Sequence, residues 1–84
     1  MVLAEAMNTY NVALFTIKSK GFAIELDTND ETEEINHWVA KKGEYIIYAF
    51  NPLSLLSLVV IAEEYGSSWN RVCQENLYDR ILED

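Results

Sequence analysis

The chain has 84 residues, half of them hydrophobic, with 14 acidic and 6 basic side chains and a formal net charge of −8. That length makes one domain, and surface scaling predicts that folding hides about 9,000 Å² of the extended chain, roughly 64% of it. The charge argues against nonspecific binding to DNA, RNA or anionic lipid, whose affinity comes from Lys and Arg neutralising phosphates. Cys73 stands alone, so an intramolecular disulfide and a cysteine-based zinc site are excluded, which fits a reducing, cytoplasmic setting. The N-terminus lacks a basic segment followed by an apolar run, so no signal peptide is expected.

A first helix is expected from Val2 to Lys20, where Leu3, Met7, Tyr10, Leu14 and Ile17 recur at spacings of three and four. Lys18 and Lys20 suit a helix C-terminus, and Gly21 supplies the stop. Phe22 to Asp27 then alternates, with Phe22, Ile24 and Leu26 on one face of a half-buried strand and Ala23, Glu25 and Asp27 on the other.

Thr28 to Glu34 reads as a solvated loop. Asp27, Asn29 and Glu31 fall at the alternate positions of an EF-hand, but Thr32 stands where that loop needs glycine and Trp38 where it needs a bidentate acid, so the match fails. Asp30, Glu31, Glu33 and Glu34 are therefore a solubilising charge run, or, as the alternative, the surface that meets a basic partner.

Ile35 to Phe50 reads as a hairpin turning near Lys41-Lys42-Gly43. A two-residue Lys42-Gly43 turn sets Ala40 against Tyr45, Trp38 against Ile47 and Asn36 against Ala49 on one face. The other face then carries Val39 with Ile46, His37 with Tyr48 and Ile35 with Phe50. Both faces hold large apolar groups, so either helices cover both or one meets another molecule.

Asn51 to Gly66 is the best-marked element. Asn51 is a favoured N-cap, Pro52 fits the first helical position, and Gly66 can adopt the left-handed conformation that ends a helix. Between them only Ser54 and Ser57 interrupt an apolar run, which predicts a helix buried on most sides and too short to span a membrane. Glu63 and Glu64 oppose the macrodipole near its end and should face solvent or a cation. A last helix is expected from Ser68 to Leu82, with Trp69, Val72, Cys73, Leu77 and Ile81 as its stripe, folded back on its predecessor as an αα-hairpin.

The fold class expected is α+β in the order α-β-β-β-α-α, a three-stranded, mostly antiparallel sheet packed by helices in a single domain, residues 1–84. No catalytic motif, metal-ligand set, cofactor loop or membrane span is visible. Cys73 and His37 are the only thiol and imidazole. The cysteine falls on an apolar stripe as a buried structural thiol, and the histidine reads as a cross-strand partner. The best expectation is a non-enzymatic protein-interaction or dimerisation module, a homodimer or bound to a protein partner. Trp38, Tyr45 and Ile47 are the candidate interface, unless the first helix covers that face. An acidic inhibitor of a basic nucleic-acid-binding or nuclease partner is the alternative.

Overall fold

In the computed structural model, which describes residues 1–83, Asn51 does what its side chain suggests. Its Oδ1 accepts from the N–H of Ser54 at 2.8 Å, Pro52 takes the first helical position, and Gly66 ends the helix at φ 59°. Helix α2 (Pro52–Tyr65) is held between these ends and lies beside α1 (Thr9–Ser19). Lys20, just past the end of α1, bonds Glu63 at 3.0 Å, so one of the two acids near the end of α2 has found its cation.

Both helices lie over one face of an antiparallel sheet in the order β1 (Ala23–Thr28), β2 (Ile35–Lys42), β3 (Tyr45–Ala49). The element order is α-β-β-β-α-α, as expected, in an α+β fold. Ile17 of α1, Leu55 and Val59 of α2, and Phe22, Ala40 and Ala49 from the sheet layer form the buried core, with Ile24, Trp38, Ile47 and Leu56 packed against it. The small side chains of Ala40 and Ala49 let α2 approach the sheet closely. Gly21, at φ 92°, turns the chain from α1 into β1, and Lys42 donates to the carbonyl of Lys20 at 2.7 Å, satisfying one orphan acceptor at the α1 terminus.

The hairpin register differs from the expected one. Lys42 pairs with Tyr45, Ala40 with Ile47 and Trp38 with Ala49, so the turn is Gly43-Glu44. Gly43 has φ 57° while Glu44 stays on the negative side, the φ pattern of a type II′ turn, which wants glycine at its first central position. The slide is by two residues, so every side chain keeps the face the alternation gave it.

Both outer helices are shorter than their periodicity predicts. The chain before Asn8 is not helical. A helix begun at Val2 would overhang the start of α2 by about 10 Å, with nothing beneath Leu3 and Met7. Instead Leu3 and Ala4 line a recess of about 350 Å³ with Val12, Ala13, Leu53 and Leu56. At the other end, Gly66–Arg71 is a 3₁₀ turn and only Leu77–Glu83 (α3) is α-helical. Ser67, Ser68, Asn70, Val72 and Cys73 are poor helix formers. Asn76 supplies the cap instead, accepting from the N–H of Asp79 at 3.2 Å. The expected αα-hairpin does not form, no residue of α3 is buried, and Cys73 is exposed rather than a core thiol.

Candidate interaction surface

The residues marked for an interface part company in the structure. Trp38 and Ile47 are half-buried against the core, so the covering of that face within the chain is realised, chiefly by α2 rather than by the first helix. Tyr45 alone stays 42% exposed, with its ring 6.4 Å from that of Phe22. The three do not form a free surface, which corrects the grouping read from the sequence.

The opposite face of the sheet is open. Across it Asp27 pairs with His37, and Nδ1 of the imidazole donates to Oδ2 of Asp27 at 3.0 Å. The His37 ring stacks on Phe50 at 5.3 Å and meets the edge of Tyr48 at 5.6 Å, while Phe50 itself is 80% exposed. Val39 sits between Glu25 and Tyr48 in the ladder and is only 3% exposed although no helix lies over it, because its cross-strand neighbours close around it. Lys41 bonds Glu25 at 3.0 Å. The hydrogen bond to that carboxylate, then its charge, hold the lysine pKa above its usual value.

A second apolar surface runs along the outside of α2 and the free edge of β3. The expectation that α2 is buried on most sides is corrected here. Pro52, Leu55 and Val59 are buried, but Leu58, Val60 and Ile61 are exposed, because one three-stranded sheet and α1 supply only one side of cover. Leu58, Ile61 and Ala62 line a recess of about 310 Å³ with Ile46, Ile47, Tyr48 and Trp69, none of them charged. An apolar run that shows only Ser54, Ser57 and an acidic last turn to water already asks for more cover than one small sheet and two helices supply, which makes the helix itself a candidate interface; the structure adds which side stays open.

No family model matches the chain, and no curated protein or solved structure is significantly similar to it.

Asp30, Glu31, Glu33 and Glu34 are all exposed on the β1–β2 loop. The loop is a folded turn. Oδ1 of Asn29 accepts from the N–H of Glu31 at 2.9 Å, Glu33 has φ 61°, and Asn29 and Glu34 close its neck at 2.8 Å. His37 and Cys73 are engaged separately, the imidazole with Asp27 and the thiol with the carbonyl of Glu75 at 3.4 Å. Among the described residues no three His, Cys, Asp or Glu side chains group as metal ligands, and no helix is long and apolar enough to cross a membrane.

Proposed function

We propose that this chain is a non-enzymatic association module whose first partner is a second copy of itself. The observation that carries the reading is surface area. A folded chain of this mass should expose about 5,100 Å². This one exposes 6851 Å². The excess, about 1,700 Å², is more than the roughly 800 Å² per partner that a standard specific complex buries. Its radius of gyration, 15.0 Å, likewise exceeds the about 12 Å expected of a compact domain this long. Much of the excess is apolar, including Phe15 on α1, Phe50 and Tyr48 on the sheet, Leu58 and Ile61 on α2, and Ile81 and Leu82 on α3. Of these, Tyr48, Leu58 and Ile61 meet around one recess with Ile46 and Trp69, and an apolar patch of that kind marks an interaction site.

The net charge of −8 supports a protein partner over nucleic acid or anionic membrane, and the reading belongs to a reducing, cytoplasmic setting. Light scattering on the full chain tests it. A mass of twice 9.7 kDa at micromolar concentration is expected, and a strict monomer up to the solubility limit would refute it. The acidic-inhibitor reading rests on one observation, the ordered loop that holds Asp30, Glu31, Glu33 and Glu34 exposed. Amide replacement of all four should abolish binding to a basic partner, and unchanged affinity would end that reading.

A further inference from the structure

The two edges of the sheet are built differently. β1 carries Glu25 and Asp27, breaks register with a bulge between Asp27 and Thr28, and runs into the acid-rich loop. These are the devices by which edge strands refuse a neighbour. β3, Tyr-Ile-Ile-Tyr-Ala, has no charge, no proline and no bulge.

The direction of its unpaired groups follows from the turn. With Lys42 opposite Tyr45 closing a two-residue loop, the alternate pairs Lys42–Tyr45, Ala40–Ile47 and Trp38–Ala49 exchange main-chain bonds across the ladder. Ile46 and Tyr48 therefore turn their N–H and C=O groups outward. Among the described residues no hydrogen bond from a loop or side chain reaches them. Beside this edge stand Leu58 and Ile61 of α2 and Trp69 of the 3₁₀ turn, which line one uncharged recess with Ile46, Ile47 and Tyr48. A backbone edge with unpaired groups, an apolar helix stripe and the exposed Trp69 ring thus form one continuous surface.

We infer that this surface is a two-fold homodimer interface in which β3 pairs antiparallel with β3 of a second copy, giving a continuous six-stranded sheet. The inference rests on the self-association reading and specifies its geometry. With the axis at Ile47, Ile46 and Tyr48 donate to and accept from the partner's Tyr48 and the partner's Ile46. The same axis brings the exposed Leu58–Ile61 side of α2 against its own copy, so one operation satisfies both halves of the surface, as an isologous contact requires. A second copy fits better than a helical or charged ligand, because the edge demands an extended strand with free main-chain groups and the stripe carries no charge to match. It also keeps the acidic β1 edges of a chain with net charge −8 on the far sides of the assembly. An obligate dimer buries about 1,000 Å² or more per copy; the exposed Ile46, Tyr48, Leu58, Ile61 and Trp69 are this surface's apolar contribution to that, and the paired β3 backbones add the rest.

The test uses the full-length chain, sedimentation equilibrium and amide hydrogen exchange. The unaltered chain should sediment as a dimer, and Ile46→Lys and Leu58→Glu should each raise the dissociation constant by more than about tenfold while the circular dichroism stays native. Phe15→Glu, on the outer side of α1, should leave it unchanged. In the unaltered chain the amides of Ile46 and Tyr48 should exchange slowly in the dimer and fast on dilution, a readout that needs no variant to fold. A monomer throughout would overturn both the self-association reading and this surface. A dimer that survives both substitutions, or whose Ile46 and Tyr48 amides exchange freely, would overturn the β3 assignment alone, as would an open-ended polymer in place of a closed dimer.

Discussion

Leu55 and Leu58 are the same residue type on the same helix, and the structure assigns them opposite fates. Leu55 is fully buried among Ile17, Phe22, Ala40, Ala49 and Val59, whereas Leu58 is 40% exposed beside the β3 edge. Leu55→Ala removes a packed side chain and leaves a cavity that the flanking alanines cannot fill, a loss of about 3 kcal/mol within the usual range of about 2 to 5. A domain of this length has a total stability of about 4 to 13 kcal/mol, so that is a large fraction of it. Leu58→Ala gives up only the part of its area already withdrawn from water in the single chain, about 1 kcal/mol or less. With a urea dependence of about 1 kcal/mol per molar for a chain this small, the Leu55 variant should unfold some 3 M earlier and the Leu58 variant less than about 1 M earlier. Urea titration followed by far-ultraviolet circular dichroism, on samples dilute enough to be monomeric, measures both shifts. At higher concentration the Leu58 variant should lose additional stability, because association stabilises the folded state by mass action. Equal shifts for the two variants under dilute conditions would refute the assigned orientation of α2.

Three further outcomes follow from particular contacts. Asn51→Ala removes the acceptor for the Ser54 N–H and should cost about 1 kcal/mol in the same titration, with Asn51→Asp close to neutral. Deleting the chain from Leu77 onward should change the unfolding midpoint by less than about 0.5 kcal/mol equivalent, because no residue of α3 is buried; a larger loss would mean that α3 packs on the domain. Glu25→Gln should lower the Lys41 pKa toward the ordinary lysine value, read by nuclear magnetic resonance titration of its Nζ. Because that pKa is raised in the folded chain, the pair's contribution to stability is complete below the ordinary lysine range and fades as pH rises through the raised value. An unshifted titration in Glu25→Gln would reject the hydrogen bond as the cause.

Local chemistry made the centre of the fold legible. Asn51, Pro52 and Gly66 act through their own side chains or backbone freedom, so α2 could be bounded before any contact was known. The alternation from Phe22 to Asp27 marked the faces of β1; the hairpin, apolar on both faces, had its faces set by the turn, and the shifted turn preserved them because a slide of two residues leaves side-chain parity intact. What the sequence did not show was supply of cover. Leu3 and Met7 at one end, and Val72, Leu77 and Ile81 at the other, keep helical spacing without a facing surface, and so short a helix needs one. Asn76 with Asp79 three residues later was a readable cap signal that would have moved the last helix to Leu77. The same gap explains the interface residues. Trp38, Tyr45 and Ile47 were grouped correctly by face, but only the packing of α2 shows that two of them lie beneath it, and that Leu58, Ile61 and the outer edge of β3 are what remains.

Amide exchange of the unaltered chain at low and high concentration bears on this most directly, because Ile46 and Tyr48 report association and its location together. Tyr45 and Ile47, bonded to β2, should be protected under both conditions. Ile46 and Tyr48 should exchange rapidly when dilute and become protected with rising concentration, in step with dimer formation. Rates at those two amides that do not depend on concentration would contradict association through β3.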